Sequence, residues 1–335
     1  MVITRTPFRI SFFGGGSDYP AWFETNGGGR VLSTSINKYC YISCRHLPPF
    51  FEHKSRIVWS KMENVKNVDE IQHHSVRETL KFLNIEKGVE IHHDADLPAR
   101  SGLGSSSAFT VGLLNALHAL NGRMVSKNQL ALDAIHVEQE RIKENVGCQD
   151  QTAVAYGGFN KIEFGGHQKV KVQPVFLDSG RLSLLQDHLM LFFTGFSRTA
   201  SEVAAEQIKN TPTKATEIKV MMDMVDEAIE ILNGKESLVE FGKLLDEGWK
   251  LKKSLSSQIT NSEIDEIYET GLKAGATGGK LLGAGSGGFM LFFADPEIQS
   301  KIKDSLNKFL YVPFRFENLG TQVIYYAPQE SSHSK

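Results

Sequence analysis

The run Leu97-Pro-Ala-Arg-Ser-Gly-Leu-Gly-Ser-Ser-Ser-Ala108 decides most of what this chain can be. Gly102 and Gly104 carry no Cβ, so the backbone there can approach a ligand closely. Three serines follow, and then Phe109, Leu113, Leu117 and Leu120 recur at helical spacing. The spacing predicts a glycine loop that opens directly into a helix. Free N–H groups and the positive dipole end at such a helix start form an anion site. Serine hydroxyls there add hydrogen bonds and one metal ligand, and a polyphosphate fits this description best. An ordinary N-cap at Ser105 or Ser106 accounts for one serine but not for three behind Gly-Leu-Gly. The run lacks the Gly-Lys-Ser/Thr of a Walker A loop and does not fit Gly-x-Gly-x-x-Gly.

Outward from that loop, composition sets the class. The chain has 335 residues, more than one core usually fills, so two domains are expected. Hydrophobic residues at 41% and charged residues at 23% are ordinary for a globular protein. A net charge of −2 gives no basic field to attract nucleic acid or anionic lipid, and neither is expected as a partner. No apolar run approaches a membrane span, and Met1 to Pro7 enters a strand pattern without a signal-peptide core. Three cysteines, Cys40, Cys44 and Cys148, make neither an even disulfide framework nor a Cys-x-x-Cys metal site. These features suit a reducing cytoplasm and leave a homodimer open.

The first third reads as strands at Val2–Phe13, Val31–Ile42, Ile57–Trp59 and Val89–His92. Helices are expected over Asp69–Leu83, after the glycine loop to Gly122, and over Asn128–Glu144, where Leu130, Ala134, Val137 and Arg141 keep helical spacing. Gly157-Gly158 and Gly165-Gly166 punctuate two more strands. After a strand at His188–Phe193, residues 201–273 read as helices, with the form of a capping box at Ser237–Glu240. A strand at Phe289–Ala294, a helix at Pro296–Leu310 and strands at Tyr311–Phe316 and Gln322–Tyr326 follow. This order suggests an antiparallel α+β sandwich behind a boundary near residue 185, hence domains 1–185 and 186–335.

Phosphoryl transfer needs a phosphate cradle, a divalent metal, a positioned hydroxyl and charge stabilisation. Mg²⁺ takes few protein oxygens, so one serine at the helix start and one carboxylate suffice, with Glu138 or Glu140 as the carboxylate. Asp150, in Gly147-Cys-Gln-Asp-Gln151, reads as a carboxylate in a glycine-flanked turn, able to accept or orient a hydroxyl proton. Arg9-Ile-Ser-Phe-Phe-Gly-Gly-Gly-Ser-Asp18 ends a strand in open backbone that suits a polyol, with Asp18 for hydroxyls and Arg9 for phosphoryl charge, or is simply a glycine-rich hairpin. A second glycine run, Lys280 to Phe289, precedes a strand. The histidine pairs at 73–74 and 92–93 alternate faces and read as structural or solvated.

These segments, in this order, resemble the GHMP kinase superfamily: Arg9–Asp18 its first motif, Pro98–Ala108 its nucleotide motif and Lys280–Phe289 its third. The resemblance implies a two-domain α+β fold, with an N-terminal ribosomal-protein-S5-like α/β domain and a C-terminal ferredoxin-like α+β sandwich. It implies an ATP- and Mg²⁺-dependent kinase of a sugar or sugar phosphate. By position, Pro98, Arg100, Ser101, Gly102, Leu103, Gly104, Ser105, Ser106 and Ser107 match the nucleotide loop. Ser106 and Glu138 match the metal ligands, and Asp150 the catalytic aspartate with Arg9 beside it. Gly14, Gly15, Gly16, Ser17 and Asp18 match the sugar-binding segment, with Arg198 and Gly285 weaker substrate candidates. Gly15 and Gly16 stand where galactokinase carries Glu-His, which argues against galactose.

Within the superfamily, Arg9–Pro20 and Gly147–Gln151 most resemble sugar kinases of heptose activation, which phosphorylate an anomeric hydroxyl. A heptose phosphate brings a dianion, for which Lys38, Arg30 and Arg198 are candidate partners. Two other readings remain: a kinase of a free sugar such as L-fucose, and a non-catalytic sugar and nucleotide sensor. The presence of Ser106, Glu138 and Asp150 together argues against the sensor.

Overall fold

A computed structural model describes residues 1–166, 169–195, 200–235 and 237–327. In its first half, β1 (Val2–Phe13), α1 (Pro20–Phe23), β2 (Gly29–His46), β3 (Ser55–Val58), β4 (Met62–Val65), α2 (His74–Phe82) and β5 (Val89–Ala95) lead to α3 (Ser105–Leu120), α4 (Lys127–His136), α5 (Gln149–Tyr156), β6 (Phe159–Phe164), β7 (Val170–Pro174) and α6 (Ser179–Asp187). The second half runs β8 (Leu189–Gly195), α7 (Ala200–Asn210), α8 (Ala215–Asn233), α9 (Val239–Ser254), α10 (Ser262–Ala274), β9 (Gly278–Leu281), β10 (Gly288–Phe293), α11 (Gln299–Ser305), β11 (Leu310–Tyr311), β12 (Phe316–Glu317) and β13 (Gln322–Tyr326). Among the described residues the strands form a nine-stranded sheet and a four-stranded sheet, the latter in the order β11-β8-β10-β9 and antiparallel throughout.

The last strands lie apart from the four-stranded sheet. β13 pairs with β1 and β12 with β2, so both belong to the first sheet. The chain therefore leaves the first sheet for the second and comes back.

β1 organises the site. Period-2 alternation sends Phe8, Ile10 and Phe12 into the core, all nearly inaccessible, and turns Arg9 and Ser11 to the other side. There both side chains meet the first turn of α5, Arg9 at Asp150 and Ser11 at Gln149. The helix after the glycine loop, α3, is buried almost all round and forms the centre of the larger core.

Several boundaries differ from expectation. The helix expected over Asp69–Leu83 is a 3₁₀ turn at Val68–Glu70 followed by α2. That over Asn128–Glu144 is α4 followed by a π-helix over Val137–Ile142. Asp150 lies in the first turn of α5, not in a loose turn. The helix at Pro296–Leu310 shrinks to α11 behind a 3₁₀ turn, and the strand at Tyr311–Phe316 splits into β11 and β12.

Arg30 on β2 staples the two halves. Its Nε donates to the Met222 carbonyl at 3.0 Å, and Nη2 pairs with Asp223 at 2.7 Å and Asp226 at 3.2 Å, all on α8. Lys161 on β6 reaches the same Asp226 at 2.6 Å.

Candidate active site

The loop between β5 and α3 is shaped by its own backbone. Gly104 caps α3 in the left-handed region, φ 75°, with no side chain capping the helix, so neither Ser105 nor Ser106 is the N-cap. The Ser105 hydroxyl instead accepts from the Arg100 N–H at 3.1 Å, and Ser101 donates to the Pro98 carbonyl at 2.7 Å. Leu103 is buried and its carbonyl accepts from the Arg9 N–H at 3.0 Å. The first N–H groups of α3 consequently remain available to an anion.

Arg9 ties this loop to Asp150. Its Nε and Nη2 donate to the two oxygens of Asp150 at 2.8 and 2.7 Å, a bidentate pair. Its Nη1 donates to the Gly102 carbonyl at 2.7 Å. A Cβ on Gly104 would stand 3.1 Å from Arg9 Cγ and 3.5 Å from Asp150 Oδ2. The carboxylate thus borders the glycine loop, held by an arginine that is only 3% exposed.

Glu138 and Glu140 part company. Glu140 is exposed, whereas Glu138 is fully buried in the π-turn. Ser107 donates to Glu138 Oε2 at 3.0 Å, and the Gln151 amide donates to the same oxygen. Among the described residues Oε1 has no hydrogen-bond partner, and burial pushes the carboxyl up to about 7, opposed by the nearby hydroxyl of Thr110 and the Gln151 amide. A buried carboxylate with one open oxygen is the donor a hard cation would satisfy. Ser106 has an exposed side chain one residue before Ser107, so the serine touching Glu138 is Ser107 rather than Ser106.

Asp18 is 2% exposed and accepts from the Gly16 N–H at 3.0 Å and the Gln149 N–H at 3.4 Å. Burial, and then the Asp150 charge, push its carboxyl up to about 6. Other members of the predicted polyol segment are engaged in the fold. Ser17 donates to the Gly14 carbonyl at 2.7 Å and accepts from the Arg30 N–H at 3.1 Å. A Cβ on Gly14 would meet the Arg30 carbonyl at 2.0 Å, so this glycine is required by backbone packing. Gly15 faces the Gln149 amide with room to spare.

Of the predicted phosphate partners, Arg30 is committed to α8, so its charge is met by Asp223 and Asp226. Lys38 lies half-buried on β2, and Arg198 lies outside the described residues. The third glycine run packs on the first. A Cβ on Gly283 would stand 2.4 Å from Gly102 Cα, and one on Gly288 would stand 2.4 Å from the Ser101 carbonyl oxygen. Gly285, φ 139°, backs onto Ile259 instead.

Sequence reasoning missed the roles of Gln149, Gln151, Lys252 and Lys280. The last two bring buried ammonium groups to the same seam, with Lys252 Nζ donating to the Gly283 carbonyl and Lys280 Nζ to the Phe12 carbonyl at 2.6 Å. The histidine pairs divide between roles. His73 stacks on Phe109 at 4.6 Å and meets Trp59 edge-on, while His92 pairs with Glu90. Among the described residues no group of three or more His, Cys, Asp or Glu could hold a metal by itself, and no helix is long and apolar enough to cross a membrane.

Comparison with known proteins gives the family. The GHMP kinases N-terminal domain matches residues 70–158 and the GHMP kinases C-terminal domain matches residues 227–312. A D-glycero-alpha-D-manno-heptose 7-phosphate kinase of Campylobacter jejuni is 29% identical over 324 residues, covering 91% of this chain and 93% of its own. An L-fucokinase/L-fucose-1-P guanylyltransferase of Bacteroides fragilis is 26% identical over 91% of this chain, which spans only 36% of that longer protein. Among solved structures, a D-glycero-D-manno-heptose 1-phosphate kinase from Bacteroides thetaiotaomicron superposes with a TM-score of 0.77 at 23% identity, covering 98% of this chain and all of the other.

Proposed function

We propose that this chain, which belongs to the GHMP kinases and is a phosphotransferase, transfers the γ-phosphoryl group of ATP to the anomeric hydroxyl of a heptose 7-phosphate, giving the 1,7-bisphosphate. The observation that carries the proposal is the Arg9–Asp150 pair, clamped to the phosphate loop through Gly102. It sets a proton acceptor and a fixed cation beside the amides that would hold the nucleotide. The Campylobacter jejuni relative supports the choice of acceptor.

In this reading the amides from Gly102 to Ser106 hold the nucleotide phosphates, and Asp18 accepts hydrogen bonds from sugar hydroxyls. The acceptor oxygen bonds to the γ-phosphorus as the bond from that phosphorus to the β,γ-bridging oxygen breaks. The hydroxyl proton passes to an Asp150 oxygen and ADP leaves with the electron pair. Arg9 offsets the charge that spreads over the transferring group. Positioning dominates, because the loose transition state asks little covalent help of the protein. Glu138 and the serines at the start of α3 would hold Mg²⁺, and the open Glu138 oxygen fits that role. When bound, the ion neutralises phosphate charge and keeps the nucleotide in register.

One observation favours a second acceptor class. Arg30, a candidate for an acceptor's phosphate, is already engaged by two aspartates. A free sugar such as L-fucose needs no such partner. ADP release measured with heptose 7-phosphate, free heptose and L-fucose separates the two. The first reading expects the phosphate ester to exceed free heptose at least tenfold in kcat/KM, and equal efficiency overturns phosphate recognition. No ADP release with any sugar overturns the kinase reading.

A further inference from the structure

The helix α9 carries an irregularity in its pattern. Its buried positions, Phe241, Leu244, Leu245, Trp249 and Lys252, follow helical spacing, so a lysine occupies the place where an apolar residue would continue the stripe. Its neighbours behave as surface lysines do: Lys250 pairs with Asp246 at 2.6 Å, and Lys253 pairs with Asp265 at 3.2 Å. Lys252 is 9% exposed and donates to the Gly283 carbonyl alone among the described residues, although an ammonium has three N–H bonds to place. Lys280 on β9 is 6% exposed and likewise donates to one carbonyl, that of Phe12.

Neither lysine forms an ion pair with a carboxylate among the described residues. Burying a cation without a counter-charge is strongly unfavourable, and here two lie close enough to repel each other and Arg9. Burial, then Arg9, draws Lys252 down to about 8 against the opposing pull of Asp18 and Asp150. Burial, then Lys252 and Arg9, hold Lys280 well below the ordinary lysine range. Arg9 already has its partner in Asp150, so Asp18 is the further carboxylate that acts on Lys252, and no carboxylate acts on Lys280 among the described residues.

Position says what Lys252 faces. The carbonyl that Lys252 holds belongs to Gly283, whose backbone lies against Gly102 of the phosphate loop. Lys252 also stands within electrostatic reach of Arg9, Asp18 and Asp150 at once. We infer that Lys252, backed by Lys280, is the part of the second half that binds a phosphate group beside the Arg9–Asp150 pair. Two sources offer the same chemistry: the terminal phosphate of the nucleotide and the phosphate carried by the acceptor. The inference deepens the kinase reading and rests on it for the identity of these two donors of charge.

The test uses the intact protein and three variants, Lys252→Met, Lys252→Arg and Lys250→Met. Thermal melting in rising inorganic phosphate, at ionic strength fixed with chloride, reads the subsite without any turnover. Wild type and Lys250→Met are expected to be stabilised by phosphate, and Lys252→Met to require at least tenfold more phosphate for the same shift. Lys252→Met should melt no lower than wild type without phosphate, since an unpaired buried charge has been removed. Lys252→Arg should recover at least half of the phosphate response. Calorimetric binding then identifies the source. A tenfold loss for a non-hydrolysable ATP analogue with ADP unchanged assigns the nucleotide's terminal phosphate. A tenfold loss for heptose 7-phosphate with free heptose unchanged assigns the acceptor's phosphate. Binding of phosphate, analogue and sugar phosphate by Lys252→Met within twofold of wild type overturns the inference, as does a wild type that phosphate fails to stabilise. A wild type that phosphate stabilises but that releases no ADP with any sugar leaves the subsite standing and sinks the kinase reading instead.

Discussion

Gly283→Ala should cripple turnover while leaving the fold intact, and the structure says by how much. The new Cβ would stand 2.4 Å from Gly102 Cα and 3.2 Å from the Gly102 carbonyl carbon and oxygen, where ordinary contact begins at 3.4 Å. Both partners are backbone, so no side chain can swing aside, and the two glycine loops must separate by about 1 Å to relieve the clash. Gly102 carries the carbonyl that holds Arg9 Nη1, and Arg9 holds Asp150, so the shift is passed straight to the Arg9–Asp150 pair. A displacement of about 1 Å in a positioned site costs on the order of 10² in rate. The substitution also forces alanine to φ 79°, which costs about 1–2 kcal/mol on its own. Gly122→Ala separates the two effects. Gly122 has φ 68° and nothing within 4 Å of its would-be Cβ, so that variant carries the backbone strain without the clash. Urea unfolding should show both variants destabilised, Gly283→Ala the more so. Steady-state ADP release should show Gly122→Ala near wild type and Gly283→Ala down about a hundredfold. Turnover of Gly283→Ala within threefold of Gly122→Ala would refute the idea that this contact positions the pair.

Asp150→Asn removes the proposed proton acceptor and turns an amide N–H toward Arg9; turnover should fall on the order of 10²–10⁴, and a variant within threefold of wild type removes Asp150 from the chemistry. The buried Asp18 gives a pH signature in the ligand-free protein. Its folded carboxyl lies raised, from 3.8 to about 6, so the stability it lends is fully present below 3.8 and is lost as pH rises through about 6. The loss amounts to about 2 kcal/mol between pH 4.5 and 7.5 at about 1.36 kcal/mol per pH unit of displacement. Urea unfolding of wild type and Asp18→Asn at the two pH values should show their difference moving toward the variant by that amount, other titrations cancelling. A difference that stays flat refutes the cost of ionising Asp18.

How much of this was legible beforehand depended on how local each cause is. Gln322–Tyr326 was delimited to the residue, and the glycine loop opening into α3 followed from its own sequence, because turn chemistry and apolar period act over a few residues. Glu138 was singled out beside Glu140, but not the π-turn that buries it. The helical spacing of Leu130, Ala134, Val137 and Arg141 runs on as if the α-helix continued, and one widened turn leaves no mark in that period. Short strands rich in glycine were missed for a related reason. In β9, Gly278 has weak strand propensity, yet a Cβ there would strike the Gly242 carbonyl oxygen at 2.0 Å, so its identity answers to α9 rather than to the strand. Arg30 looked like an anion binder because its two aspartates lie nearly two hundred residues away.

Lys252 is the sharpest case. In the sequence it is one of three lysines within Lys250–Lys253, in a neighbourhood of Glu and Asp, indistinguishable by type from residues that merely solvate a helix. Only its phase along the stripe of Phe241, Leu244, Leu245 and Trp249 sets it apart, and phase becomes evidence once the helix bounds are known. The same holds for the glycines of the third run, whose positive φ values and close approaches answer to Ser101, Gly102 and Ile259 rather than to their own turn. A glycine loop whose shape is completed by backbone and charge from the far half of the chain should be sensitive to how the halves sit together. Sensitivity of that kind is invisible to any window of residues and plain once Gly102 and Gly283 are seen in contact.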